Sequence, residues 1–362
     1  MKDNQSPRLT IAFVYDPKAH YLELGYSESE CGDLADDITI KGISEALQTL
    51  GHHVIHVPGI KPLVSHLAAS EQKNWDLVFN FGEGVTGSAR ESQVPALLEA
   101  YDVPFTFSDA STLALCIDKA KTKMVLKHHN IPTSPFLVVP RFGEPVDYTL
   151  LEDQLPYPLF AKPVAASTSN GITASNKIQK KEKFRSVVEN LRSQFPEQEV
   201  LVETFLAGRE FTVGILGTGE DARVLGISEV TWYNPEGGCD EDGCVDFATI
   251  FSKSGGGADK DMGHTHVELD GDAQMTHVSQ VALDAYRALG CRDAGRVDLR
   301  FGPDGDGSRP YVIEVNPIFG LNPNHSLYTW IAKDNGLSYI NLLQSIIDNA
   351  LSRYDSVKAA LN

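Results

Sequence analysis

Apolar positions in this chain fall first into an order that alternates strands with helices, and later into an order that does not. Residues 9–15 (LTIAFVY) form an apolar run of strand length and predict a buried strand. Residues 39–51 carry Ile40, Ile43, Ala46, Leu47 and Leu50 at helical spacing and stop at Gly51. Strands follow at 53–57 and 76–81 (DLVFNF), then a helix at 94–100 and a short strand at 103–105. Strand, helix, strand, helix, strand is the order of a parallel sheet with crossover helices, so residues 1–110 predict an open α/β domain.

Residues 111–129 read as a helix ended by Ile131-Pro132, since the residue before proline disfavours helix. Beyond Pro140 the order changes. Strands at 159–162, 200–205, 211–216 and 224–230 surround a helix at 181–194. They follow one another without a helix between each pair, which predicts an antiparallel α+β segment. Residues 232–266 are rich in Gly and Asp; loops of that length inside compact domains are lids, binding loops or disordered. A helix at 273–289, strands at 295–301 and 310–315 joined by a polar turn at 303–308, and a helix at 337–354 complete the chain.

Composition narrows the function classes. The 362 residues predict two or three domains, and 42% hydrophobic with 22% charged residues is ordinary for a globular protein. No apolar run approaches the ~20 residues that cross a bilayer, and residues 1–8 are polar with no secretion signal. A net charge of −18 argues against a general nucleic-acid or anionic-lipid binder. It also requires that any anionic ligand be met by local Lys, Arg or metal ions. Five cysteines, an odd count without metal-site spacing, fit a reducing, cytoplasmic setting; Cys239 and Cys244 read as free thiols.

Four constellations carry chemistry. In GRVDLRF, Arg296 and Asp298 are two apart; in VIEVNP, Glu314 and Asn316 are two apart. Strand side chains alternate faces, so each pair shares a face, with Val297, Leu299, Ile313 and Val315 on the other. If the strands pair, three oxygen ligands (Asp298, Glu314, Asn316) gather beside one guanidinium, a set suited to Mg²⁺ bridging nucleotide phosphates. In PLFAKPVAASTSNGI a strand delivers Lys162 to a run of small residues where Thr168 and Ser169 add hydroxyls, either a phosphate-binding loop or a plain surface loop. In EVLVETFLAGREF, Glu203 and Glu210 flank Leu206-Ala207-Gly208, offering acceptors for a base or ribose beside an apolar wall, or a hairpin with two solvated acids. In DKAKTKM, Lys119, Lys121 and Lys123 lie on one helix, and at ~100° per residue only one or two reach a common point.

These motifs occur in the order found in the ATP-grasp superfamily, and the chain most resembles D-alanine–D-alanine ligases. The resemblance rests on DLVFNFGEGVTGSARESQVPALLEA, CIDKAKTKMVL, LFAKPVAASTSNGI, EVLVETFLAGREFTVGIL, GRVDLRF and YVIEVNPIFGLNPNHS. It implies an N-terminal open parallel-sheet domain followed by a two-part ATP-grasp fold: residues 1–110, a lid-like central domain at 111–215, and a catalytic domain at 216–362 with a mobile loop at 232–266. By position, Lys119 and Lys162 resemble the phosphate-binding lysines and Thr168 and Ser169 fall in the phosphate loop. Glu203, Leu206 and Glu210 match adenine and ribose contacts. Asp298, Glu314 and Asn316 match magnesium ligands. Arg296 and the Gly320 N–H match the groups that hold the reacting carboxyl oxygen. Ser326, after His325, resembles the residue that binds the second amino acid's carboxylate.

The resemblance thus implies ATP and Mg²⁺, small amino-acid or carboxylate substrates, and the homodimer frequent in such ligases. It implies an amide formed through an acyl phosphate, with release of ADP and phosphate. The chain also departs from the family. Ala166 and Ser167 stand where the phosphate loop carries an acid and a Gly. DLADDIT at 33–39 replaces the Glu-Val-Ser signature, NFGEG at 80–84 replaces the His-Gly opening, and the loop offers only Lys253 as a stand-in for its usual Lys. Those changes leave ATP use in place and leave open which amino acid, or which specialised-metabolite precursor, is joined. Glu83, Arg90 and Glu91 are candidates to grip the first substrate, or ordinary charges at a helix start; Asp33 and Asp36 are weaker candidates. A non-catalytic nucleotide-binding module and a small-carboxylate kinase are the competing readings.

Overall fold

The computed structural model describes residues 8–166, 171–232, 262–268, 272–302 and 309–361. Three parallel strands open the chain: β1 (Thr10–Tyr15) lies between β2 (His53–Pro58) and β3 (Leu77–Phe81). Helices cover both faces of β1. Ile11 and Phe13 pack with Ile43 and Leu47 of the helix Asp37–Thr49, whereas Ala12 and Val14 pack with Leu63, Leu67 and Leu98. A parallel strand buried on both faces has no polar side, which explains its unbroken apolar run. The short strand expected at 103–105 is reduced to a single bridge between Phe105 and Val78.

The helix expected at 111–129 is two helices, Ala110–Ile117 and Lys119–His128, because Asp118 leaves helical geometry (φ −88°, ψ 96°). Its side chain then caps the second helix by accepting from the Lys121 N–H. Helices Lys18–Glu23, Ile60–Ala68 and Leu327–Asp334 and the strand β4 (Phe136–Val139) were not marked by the sequence pattern, all being short.

Two antiparallel sheets follow. The first contains β4, β5 (Leu159–Pro163), β6 (Lys177–Ile178) and β7 (Val200–Thr204), in the order β4-β7-β5-β6. Phe184, Val188 and Leu191 of the helix Lys181–Gln194 fill its core with Leu159, Ala161, Val200 and Val202. The second contains β8 (Glu210–Leu216), β9 (Arg223–Trp232), β10 (Met262–Val267), β11 (Ala294–Phe301) and β12 (Pro310–Asn316), in the order β10-β9-β8-β11-β12. One face of it is sealed by the helix Ala273–Ala288 through Met275, Val278, Ala282 and Ala285. The other face looks toward the first sheet.

The closing helix Tyr339–Leu361 returns to the N-terminal sheet, where Leu342, Leu343, Ile346 and Ile347 join the core of β1. Arg353 on this helix donates to Asp293 and to the carbonyls of Phe105 and Phe107. Among the described residues no helix is long and apolar enough to cross a membrane.

One residue departs from the expected facing. A bulge between Asp298 and Leu299 pairs Asp298 with Glu314 but Leu299 with Val312. The extra residue is Ile313. Val312 therefore enters the core, and Ile313 turns to the open face, against the alternation expected from spacing alone.

Candidate active site

A cavity of about 490 Å³, the size of a small-molecule site, lies between the two antiparallel sheets and the N-terminal domain. Its floor is the β11–β12 ribbon. Arg296 is opposite Asn316 and Asp298 opposite Glu314, so the four side chains occur together on one face as the spacing required. Asp298 is tightly held: Thr212 Oγ1 donates to its Oδ1 at 2.7 Å. Arg296 donates to Oδ2 through Nε (3.1 Å) and Nη2 (2.9 Å), and Asn316 Nδ2 donates to Oδ2 at 3.0 Å. Asn316 also reaches Glu314 Oε1 at 3.3 Å. Thr212 escaped the sequence reading because nothing in β8 distinguishes a threonine that supports a carboxylate from one that decorates a strand.

Burial sets the electrostatics of this ribbon. Burial raises the Asp298 carboxyl in spite of the adjacent Arg296 guanidinium. Burial alone would raise Glu314 as well, but Lys119, Arg296 and Lys162 outweigh it and hold its carboxyl at about 2. Lys119 Nζ lies 3.5 Å from Glu314 Oε2 and donates to the Ala166 carbonyl at 2.6 Å.

On the opposite wall Glu203 is not a free acceptor. Lys162 Nζ is 2.6 Å from its Oε1, Lys123 Nζ is 2.7 Å from its Oε2, and Ser134 Oγ donates to Oε2 at 2.5 Å. Although burial opposes ionisation, the two lysines hold Glu203 well below the usual carboxylate range. Lys119 and Lys123, four apart, share the inward face of their helix, while Lys121 points out to Asp118. Lys123 is 1% exposed along its side chain, and burial lowers its ammonium despite Glu203. Its i, i+4 relation to Lys119 was the signal available in the sequence.

The far end is apolar. Phe160, Phe205, Leu206 and Ile313 line it together with Glu210 and Arg300. The Arg300 guanidinium lies 5.4 Å from the Phe205 ring centroid and its Nε donates to the Gly208 carbonyl at 3.0 Å. Gly208 admits no side chain: a Cβ there would meet the Phe301 Cβ and carbonyl oxygen, each at 2.7 Å. Gly208→Ala is therefore expected to cost about 1–3 kcal/mol of stability and to weaken nucleotide affinity, read by thermal denaturation and nucleotide titration.

The near end is formed by the N-terminal domain, where Asp33, Glu83 and Glu91 line the cavity. Arg90 stands behind them, donating to Asp33 Oδ2 at 3.1 Å and to the Ala165 carbonyl at 3.3 Å. Gly320 also lines the cavity. Ser326 Oγ instead donates to the Gly320 carbonyl, and neither Ser326 nor His325 is part of the cavity wall. Asp36 caps the helix Asp37–Thr49 and accepts from Asn322 Nδ2, away from the cavity. Thr168, Ser169, Ser167 and Lys253, Cys239 and Cys244, and most of the 232–266 loop lie outside the described residues.

A family model described as the D-ala D-ala ligase C-terminus matches residues 125–348. The chain belongs to the D-alanine–D-alanine ligase family. Among its relatives, a D-alanine–D-alanine ligase of Bordetella petrii is 31% identical over 317 residues, 87% of each chain. One of Rhizorhabdus wittichii is 30% identical over 316 residues, 86% of this chain and 90% of the relative. The fold matches the crystal structure of D-alanine–D-alanine ligase from Bacillus anthracis complexed with ATP. That match has a TM-score of 0.71 at 21% identity, and covers 96% of this chain and 99% of that one.

As a member of this family the chain should accommodate a divalent cation at the β11–β12 ribbon, and the donor set fits one. Asp298 and Glu314 supply hard carboxylate oxygens and Asn316 an amide oxygen. The burial that raises Asp298 is a strain that a cation beside it would offset.

Proposed function

We propose that the protein is an ATP-dependent carboxylate–amine ligase that joins amino acids through an acyl phosphate, with Lys119, Lys162, Arg296, Asp298, Glu314 and Asn316 as its working residues. The observation that carries this reading is their convergence on one cavity from two different sheets and the helix Lys119–His128. A carboxylate is a poor electrophile; transfer of the ATP γ-phosphoryl group to it creates a leaving group that an amine displaces. Mg²⁺ held by Asp298, Glu314 and Asn316 would neutralise phosphate charge and bring two anions together.

The protein's own groups do the rest. Lys119 and Lys162 supply the positive charge that an acidic chain otherwise lacks. Lys162 arrives already ordered by Glu203, so little side-chain freedom is lost when phosphate binds. Arg296 and the Gly320 N–H would stabilise the carbonyl oxygen on which charge develops. Thr168 and Ser169 would add hydroxyl donors to the phosphates. Leu206, Phe205 and Ile313 form the walls for the base, with Glu210 toward the ribose.

We place the division of the chain in three near residues 110 and 208, since β8 hydrogen-bonds into the five-stranded sheet. Cys31, Cys116 and Cys291, all buried free thiols, suit a cytoplasmic protein. A homodimer would be recognised by its mass in solution.

The test is ADP release with ATP, Mg²⁺ and a panel of D- and L-amino acids, with products identified by mass. An amide product supports the ligase. A phosphorylated carboxylate without an amide would make the protein a kinase, and binding without turnover would make it a nucleotide-binding module. Glu314→Ala is expected to abolish amino-acid-dependent ADP release while the protein stays folded; full activity in that variant would remove the site assignment.

A further inference from the structure

Lys162 and Glu203 line the cavity, whereas Lys123 stands behind Glu203, outside the cavity wall. A lysine buried that deeply calls for a reason, because an ammonium taken out of water is costly unless it is paired and hydrogen-bonded. The surroundings of Lys123 offset that cost. Its Nζ lies 2.7 Å from Glu203 Oε2, 2.7 Å from Thr133 Oγ1 and 2.9 Å from Ser134 Oγ.

The hydrogen bonds fix the charge on Lys123. Thr133 Oγ1 donates its proton to the Val312 carbonyl at 3.0 Å, and Ser134 Oγ donates its own to Glu203 Oε2. A hydroxyl has a single proton, so toward Lys123 both oxygens can only accept, and the Glu203 carboxylate accepts as well. Three acceptors around one nitrogen require three N–H donors, which an ammonium has and a neutral amine lacks. Burial works against that ammonium, and these bonds hold it.

Glu203 is ionised, since its two lysines keep it well below the usual carboxylate range. It therefore stands as one carboxylate between two ammonium groups, Lys162 on Oε1 and Lys123 on Oε2. The set keeps one positive charge. That surplus is presented to the cavity by Lys162, whose charge also helps to hold Glu314 low on the ribbon. Without Lys123, Lys162 and Glu203 would form a neutral pair, and a neutral pair attracts phosphate far less than a net charge does.

We propose that Lys123 is a positioning residue for the nucleotide phosphates, acting through Glu203: it answers that carboxylate and so leaves the charge of Lys162 to phosphate. This rests on the ligase reading above, in which Lys162 meets the ATP phosphates, and adds a residue that touches no substrate. One helix thus serves both walls, with Lys119 beside Glu314 and Lys123 behind Glu203.

The experiment measures the affinities of a non-hydrolysable ATP analogue with Mg²⁺ and of adenosine, each by competition against a fluorescent nucleotide. Adenosine carries the base and ribose without the phosphates, so the ratio of the two affinities isolates the phosphate contribution. Lys123→Met is expected to lower that ratio by about 10–20-fold, the Coulomb effect of one unit charge within ~10 Å at an effective dielectric of ~20. The double variant Lys123→Met with Glu203→Gln removes both buried charges and leaves that of Lys162, so its ratio should return toward the wild-type value. Lys123→Gln, which keeps a hydrogen-bonding group beside Thr133 and Ser134, is read in the same way should Lys123→Met fail to fold.

An unchanged ratio in the single variants, equal losses for the analogue and adenosine, or no recovery in the double variant would each overturn the proposal. Any of these beside an amide product from the amino-acid panel would leave the ligase reading standing. The expected ratios without amino-acid-dependent ADP release from wild type would uphold the role of Lys123 and overturn the ligase reading.

Discussion

Arg296→Ala is expected to lower kcat by about 10²–10³-fold, the usual cost of removing one donor to a developing oxyanion. The structure adds a second consequence. Arg296 makes two of the four hydrogen bonds to Asp298, and burial already raises that carboxyl. Without the guanidinium, Asp298 shifts further toward its neutral form and becomes a poorer cation ligand. The Mg²⁺ dependence of turnover should therefore move to higher concentration in Arg296→Ala, while Arg296→Lys keeps the charge and shifts it less. Steady-state kinetics over a magnesium series measures both effects. Turnover unchanged in Arg296→Ala would remove the residue from the chemistry.

Arg353→Met is expected to destabilise the fold by about 3–5 kcal/mol, the cost of leaving a buried charge without its partner. Asp293 is fully buried; besides Arg353 it accepts from the Phe107 N–H at 2.7 Å and from Thr218. Arg353 also donates to the carbonyls of Phe105 and Phe107. The pair thus ties the closing helix to the N-terminal domain and to the turn that leads into β11. Burial raises the Asp293 carboxyl, and Arg353 is the largest influence opposing that rise. A double variant, Arg353→Met with Asp293→Asn, should recover part of the loss, because the orphaned charge is gone. Denaturant melts of the three variants measure this; equal stability of Arg353→Met and wild type would show that the pair contributes nothing.

The two families of strands were legible for different reasons. In β1, burial on both faces removes the polar positions, so a bare apolar run marks the strand. In β11 and β12 one face is core and the other carries the chemistry, so alternation exposes both the strand and its charged residues. Ile313 breaks that alternation because a bulge leaves no mark in side-chain type. Asp118 ends a helix in mid-run for a related reason: a single capping aspartate reads as any other polar position until the backbone turns at it.

The site shows the same division. Spacing of two along a strand was enough to put Arg296 with Asp298 and Glu314 with Asn316, since the pleat alternates whatever surrounds it. The partners of Glu203 were not legible. Lys123 and Lys162 come from a helix and a strand far apart in the chain, and only packing decides that both reach one carboxylate. Thr212, eighty-six positions from Asp298, meets it for the same reason.

By itself, then, the amino-acid order determined the local periods, the pairing of chemistry-bearing residues on β11 and β12, and the need for local positive charge in an acidic chain. Tertiary structure alone decided which carboxylate each lysine at the site meets: Glu314 for Lys119, and Glu203 for both Lys123 and Lys162. It alone also brought Glu83 into the cavity wall. Strand and helix periods are set by backbone geometry within a few residues, whereas charge balance at a site is a sum over side chains that only folding brings within reach.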